Sequence, residues 1–230
     1  NERLTYLRNL EDKKNQVLSS IEDQGKLTPE LKAQILAAQT LVVVEDLYRP
    51  YRPKRRTRAT IAKEKGLEPL ANIIMLQMTG KSIEEEAQAF VSEEKEVATV
   101  ADAIAGAKDI IAEHISDEAD YRIHIRDLTA KKGTISSTAK DPEVQSVYEM
   151  YYEFEEPVKK LAGHRVLALN RGEKEKVLTI KIVAPEEEIL RYLDKQVITR
   201  ENPNTTPILK EVTEDSYKRL IAPAIEREIR

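Results

Sequence analysis

Cysteine is absent from the 230 residues, which excludes a disulfide framework, a zinc ribbon, an iron–sulfur cluster and a cysteine nucleophile together. The absence fits a reducing compartment. Glycine is scarce as well, since the seven present make about 3% of the chain against a usual ~7%. Few positions can then take positive φ in tight turns, which disfavours a turn-dense β-sandwich or barrel and leans the composition towards helix. No run of eighteen apolar residues occurs, and no short apolar stretch follows a basic start. Neither a membrane-spanning helix nor a secretory signal is therefore read, and the expected location is the cytoplasm.

What is present is charge. Asp, Glu, Lys and Arg make 34% of the residues, above the usual quarter, so much of the surface must be charged. The 41 acids outnumber the 37 bases, for a net charge of −4, which is not the overall footprint of a dedicated nucleic-acid binder. The length allows one large domain or two small ones with a real core. The chain starts at Asn1 and stops at Arg230 inside an apolar pattern that looks unfinished, and it is read as a piece of a longer protein.

Apolar residues recur at helical spacing through Leu4, Leu7, Leu10, Val17, Leu18 and Ile21, closing at Gly25. Thr28-Pro29-Glu30 is a helix start: a capping hydroxyl, a proline in the first turn and an acid facing the dipole. Leu31, Ile35, Ala38, Leu41 and Val42 are expected on one face of the helix it opens. Short helices are predicted from Ala59 to Gly66 and from Glu68-Pro69 to Gly80. Ser82 with Glu85, and Thr99 with Asp102, read as capping boxes.

Ser116-Asp117 is expected to cap a helix reaching Ala130, with residues 134–141 a Ser/Thr-rich loop and another helix from Asp141 to Phe154. Arg165 to Asn170 and Lys176 to Val183 alternate with branched residues around Gly172, which predicts a β-hairpin. Pro185 and the glutamates after it open a further helix. After a break at Asn202-Pro203-Asn204 a last helix carries Leu220, Ile221, Ile225 and Ile229, with Pro223 interrupting its ladder.

The sharpest local feature lies at 49–65, where Arg49, Arg52, Lys54, Arg55, Arg56, Arg58, Lys63 and Lys65 face only Glu64. Eight cations against one carboxylate give +7, which leaves −11 for the rest. Pro50 and Pro53 make it an extended connector. Tyr48 and Tyr51 flank it, and guanidinium groups beside aromatic faces suit phosphate backbones and unstacked bases. The competing reading is intramolecular pairing, with Glu84, Glu85, Glu86, Glu93, Glu94, Glu96 and Asp102 as available partners.

No other constellation rises to a site. His114, His124 and His164 are scattered, no serine sits in a glycine-flanked elbow, and no glycine loop could cradle phosphate. Paired acids at Glu155-Glu156 and at 186–188 read better as surface and dipole-facing groups than as magnesium ligands. No catalytic residue, metal ligand or cofactor is assigned, and the chain is expected not to be an enzyme.

The connector also carries a resemblance. Asp46-Leu47-Tyr48-Arg49-Pro50-Tyr51-Arg52-Pro53-Lys54-Arg55-Arg56-Thr57-Arg58-Ala59, continuing through Ile61-Ala62 and Lys65-Gly66-Leu67-Glu68-Pro69-Leu70-Ala71, strongly resembles the bacterial Tex family of transcription accessory proteins. His164-Arg165-Val166-Leu167-Ala168-Leu169-Asn170-Arg171-Gly172-Glu173 agrees, as do Tyr217, Arg219-Leu220-Ile221 and Pro223-Ala224-Ile225-Glu226-Arg227-Glu228.

The resemblance implies a modular nucleic-acid-binding protein. Its parts would be a helical N-terminal region with helix-turn-helix-like elements, an RNase H-like domain of the YqgF type, helix-hairpin-helix elements and a C-terminal S1 RNA-binding domain. The expected fold of this chain is mainly α, a multi-helical array with one small β-hairpin. The expected layout is a helical region over 1–162, a hairpin over 163–184 packed on helices, and a helical segment over 185–230 leading towards the RNase H-like domain. The expected function is a non-catalytic scaffold and interaction module of a transcription accessory protein. Arg49, Arg52, Lys54, Arg55, Arg56 and Arg58 would contact nucleic acid or the protein's own later domains, and the transcription machinery is a further possible partner. No membrane partner is expected. A carboxylate-dependent metal nuclease and a pure protein-docking module remain as alternatives.

Overall fold

The computed structural model describes residues 2–53 and 56–229. They divide into two compact units: Asn1–Ile123 with Tyr192–Glu228, and His124–Arg191 with Ile229–Arg230. The architecture is mainly α with one small sheet, as the composition predicts.

In the first unit α1 (Glu2–Asp23) ends two residues before Gly25. It packs Leu10, Val17 and Ile21 against Leu31, Ile35, Val44 and Leu47. The Thr28 hydroxyl accepts from the Leu31 amide at the start of α2 (Pro29–Ala37). The single helix expected through Val42 is two helices. Ala38 is extended, and Thr40 caps α3 (Leu41–Tyr48), accepting from the Val43 amide at 3.2 Å. A second cap hidden inside one apolar stripe is what breaks the periodicity.

Beyond the connector, α4 (Arg58–Glu64), α5 (Glu68–Leu76) and α6 (Ile83–Gln88) pack on α7 (Val100–Asp117), the central helix of this unit. Ser82 and Thr99 cap α6 and α7 as expected, accepting from the Glu85 and Asp102 amides. Gly106 permits the close approach of α7: a Cβ there would lie 2.3 Å from Leu67 Cδ1 and 3.3 Å from the Ala62 Cβ. α5 stops at Leu76 rather than at Gly80, because Gln77 turns left-handed with φ 58°. Buried Gln77 compensates with its side chain, donating to the Val197 carbonyl at 2.8 Å and accepting from the Thr199 amide at 3.0 Å. Asn202 completes the join by donating to the Gln77 and Thr79 carbonyls at 3.1 and 3.0 Å.

Ser116 does not start a helix. It lies inside α7 and donates to the Glu113 carbonyl, and α8 (Ala119–Lys132) follows. α10 (Glu186–Val197) opens after Pro185, and the chain breaks at Asn202 before α11 (Thr206–Asp215). Residues Ser216–Ile221 form a wide π turn leading into α12 (Ala222–Ile229). The proline ring clashes with a carbonyl four residues back. The π turn ends two residues before Pro223 and absorbs that conflict without a break.

The second unit holds a three-stranded antiparallel sheet of order β2-β1-β3, and here the expected layout is corrected. Residues 134–139 are strand β1 (Thr134–Ala139), not loop. Ser137 is buried in it and donates to the Tyr151 carbonyl at 2.7 Å, so a polar side chain occupies a core-facing position. The helix expected from Asp141 is a turn, in which Asp141 accepts from the Glu143 amide. One 3₁₀ turn (Glu149–Tyr151) and strand β2 (Glu153–Pro157) follow.

The hairpin is replaced too. Its first arm is helix α9 (Gly163–Lys174), and only its second arm is a strand, β3 (Leu178–Val183), which pairs with β1 in the register Ile135↔Ile182 and Ser137↔Ile180. The sequence Arg165–Asn170 alternates over a stretch too short to separate strand from helix.

Candidate nucleic-acid interface

The connector is held at both ends. At its start Tyr48 shares a hydrogen bond with Ser20 of α1 at 2.9 Å, and Gln24 donates to the Tyr51 carbonyl at 2.7 Å. At its finish Thr57 caps α4 and donates to the Glu113 carboxylate of α7 at 2.7 Å. Between these anchors the extended connector is corrected in part: Arg49 stays αR before Pro50 and opens one 3₁₀ turn, Arg49–Tyr51, and only Arg52, before Pro53, is extended.

The six expected contact residues fall into different settings. Arg49 is half-buried at the end of α3. Arg52 pairs with Glu45, and its guanidinium stands 5.7 Å from the centre of the Tyr48 ring. Arg56 pairs with Glu64 at 2.9 Å, with the two side chains 66% and 52% exposed. Arg58 is the exposed first residue of α4, and its charge reaches Asp109 of α7. Lys54 and Arg55 lie outside the described residues.

Among the described residues the ion pairs of the connector therefore run to Glu45 and Glu64, not to the acidic stretch at 84–102. The glutamates of that stretch serve local ends instead: Glu85 accepts from the Ser82 hydroxyl and Glu86 from Thr79. Exposed pairs of this kind contribute ~1 kcal/mol or less, so they leave the guanidinium groups free to exchange partners.

The connector lines one side of a cleft of about 590 Å³. Lys26, Arg52 and Lys63 contribute cations to it, while Glu68, Glu113, Asp117 and Glu118 supply an acidic wall. Most of that wall escaped the sequence reading because Glu113, Asp117 and Glu118 come from the end of α7 and its cap, about 50 residues past the connector, while Glu68 opens α5. On α7 the Asp109 carboxyl is pushed above its ordinary 3.8 by burial, while Arg219 and Arg58 pull it down and Asp215 raises it.

Behind the connector α3 is fixed by charge. Its consecutive acids diverge: Glu45 points outward to Lys13 at 2.8 Å and to Arg52, whereas buried Asp46 faces buried Arg122 of α8 at 3.7 Å. Arg122 also donates to the Ser116 carbonyl at 2.9 Å and lies 3.9 Å from Glu228. No group of three or more metal-ligating side chains is found among the described residues, and no helix among them is long and apolar enough to cross a membrane.

Residues 79–230 match the Tex central region-like family. The chain is 52% identical over its whole length to the uncharacterized protein YdcI of Bacillus subtilis and covers 32% of that protein. It is 37% identical over 96% of its length to the transcriptional accessory protein Tex of Neisseria gonorrhoeae, covering 26% of that relative. It is 27% identical over 99% of its length to the human S1 RNA-binding domain-containing protein 1, covering 24% of it. The chain thus spans about a third or less of these relatives. The family model takes in the α9 block and the C-terminal block, the match to YdcI takes in the connector as well, and the chain belongs to the Tex family.

Proposed function

We propose that this chain is a non-catalytic, mainly helical scaffold of a cytoplasmic transcription accessory protein, and that its connector makes an accessory contact to nucleic acid. One observation carries the reading. Arg52 and Arg56 are presented at the surface between two anchored ends, Arg52 over an aromatic ring, each paired only by an exchangeable carboxylate. A phosphate can displace such a carboxylate, and the ring beside it offers a stacking face to a base. The names of the relatives, one a transcriptional accessory protein and another RNA-binding, support the direction. In the whole protein, an RNase H-like domain of the YqgF type and an S1 domain would supply the principal contacts, and this region would hold them in place.

The test is equilibrium binding of the chain to labelled single- and double-stranded RNA and DNA across a salt series. Weak, salt-sensitive binding with little sequence preference is expected, reduced several-fold in R52A/R56A, with a salt slope smaller by about 1.4–1.8 for two lost phosphate contacts. Undetectable binding at low salt, or binding indifferent to the double substitution, would remove the connector as a contact. Sustained cleavage of the RNA with magnesium or manganese, abolished by one carboxylate substitution, would replace the scaffold with a nuclease.

A further inference from the structure

The second unit presents a basic helix face that no ion pair among the described residues neutralises. α9 buries Leu169 and Gly172, and a Cβ on Gly172 would lie 2.4 Å from Leu178 Cδ1, so α9 lies tightly on β3. Arg165 fixes one edge, with its guanidinium 5.2 Å from the Phe154 ring centre and 3.7 Å from Glu156. At 100° per residue, this packing turns His164, Leu167, Asn170, Arg171 and Lys174 outward on one arc, and all five are exposed. Those five include no acid, and exposed Glu175, which follows them at the helix cap, accepts from the Tyr148 hydroxyl. Exposed Lys159 and Lys160 precede it on the 3₁₀ turn Val158–Lys160.

Some cations elsewhere in the molecule are paired. Lys108, Lys131, Lys132, Lys218 and Arg219 each face a carboxylate within 3.1 Å. Among the described residues Lys159, Lys160, Arg171 and Lys174 form no ion pair. The helix dipole favours Arg171 and Lys174 near the C-terminus of α9, but it does not account for the two lysines at the opposite end or for Leu167, left 71% exposed between them. Cations at both ends of a helix about 18 Å long, with an amide and an apolar side chain between, have the chemistry of a nucleic-acid contact. The cations take phosphates, Asn170 takes a base edge or sugar, and Leu167 packs on a base.

We infer that the outward face of α9 is a second nucleic-acid contact, with Arg171 and Lys174 on the phosphate backbone and Leu167 against a base. The inference rests on the proposal that this chain contacts nucleic acid, and it places a contact outside the connector.

The experiment uses the full chain and the same labelled RNA and DNA probes over the same salt series. R171Q/K174Q is expected to weaken binding about tenfold and to lower the salt slope by about 1.4–1.8. L167A is expected to weaken binding several-fold with the slope unchanged, because an apolar contact releases no counterions. K131Q/K218Q, which removes the same charge from ion-paired positions, serves as the control, and circular dichroism confirms that each variant is folded. Equal losses in the control and the α9 variant would overturn the site in favour of diffuse charge. Binding that R52A/R56A weakens but R171Q/K174Q leaves untouched would overturn α9 alone, the reverse pattern would overturn the connector alone, and no binding by the parent chain would overturn both.

Discussion

Asp46 and Arg122 face each other at 3.7 Å, both side chains at most 2% exposed, and join α3 to α8 inside the first unit. Removing one member of a buried pair strands the other charge, at a cost of about 3–5 kcal/mol, whereas replacing both with apolar groups of similar volume is often nearly neutral. Arg122→Met is therefore expected to lower the stability of the chain by about that amount, and adding Asp46→Leu to restore part of it, since the Ser116 carbonyl and Glu228 still lose Arg122. Urea unfolding of the two single variants and the double variant measures the coupling.

Gln77 holds a left-handed backbone at φ 58° while its amide spans to Val197 and Thr199. Gln77→Gly relieves the backbone by ~1 kcal/mol but deletes a hydrogen bond to buried Val197 at ~1–3 kcal/mol and a part-buried one to exposed Thr199 at ~1 kcal/mol. The expected balance is a net loss of about 1–3 kcal/mol. The Thr199 amide should lose hydrogen-exchange protection at the same time, which a backbone-only role for Gln77 would not produce.

Gly106 sits where α7 meets α4, and the nearest atom to an added Cβ belongs to Leu67, itself 1% exposed. Overpacking a site of this kind costs about 1–3 kcal/mol. Gly106→Ala is expected to lower the urea midpoint accordingly, although alanine is the better helix former. A smaller loss when Leu67 is also shortened to Val would identify that contact as the cause.

The Asp109 carboxyl is raised by burial first, with Arg219 and Arg58 opposing and Asp215 adding to the rise. The folded chain then holds this proton to higher pH than the unfolded chain does. Its contribution to stability is fully present below the ordinary value of 3.8 and is lost as pH rises through the raised folded value. Asp109→Asn removes that dependence, so the parent chain should lose stability relative to the variant as pH climbs from 3.8 through the acidic range. Parallel unfolding midpoints against pH give the difference curve, and a flat curve would contradict the assignment.

Three helix starts were legible because each is a local event, whereas the Thr40 cap was hidden inside one apolar stripe and neither Ser116 nor Asp141 opens a helix. Thr28, Ser82 and Thr99 bond to the amides three residues on, as their spacing with the following residues implies. The small sheet was not legible. β1 reads Thr-Ile-Ser-Ser-Thr-Ala, and its only signal, alternation, is masked by Ser137 facing inward to satisfy the Tyr151 carbonyl. α9 begins at Gly163, and Ala162 before it has no side chain to cap it, so nothing in the local sequence announces a helix there. The same division holds at the connector. Its +7 was readable, while the partners Glu45 and Glu113 depend on how α3 and α7 pack around it.

The π turn at Ser216–Ile221 governs how the last stretch of chain is phased. Buried pairs recur at Val212-Thr213, Ser216-Tyr217 and Ala224-Ile225, with Ile221 between, at steps of four. On a regular α-helix a step of four drifts by about 40°, so such a stripe would wind away from its contact within a few turns. The wider turn slows that rotation and keeps Ala224 and Ile225 directed inward. Deleting a single residue between Ser216 and Ile221 would let an ordinary α-helix carry Ile225 in nearly the same direction, since eleven steps of 100° bring it to within about 20° of Thr213. The segment thus absorbs one extra residue, without which allowance Ile225 would point about 120° away from Thr213.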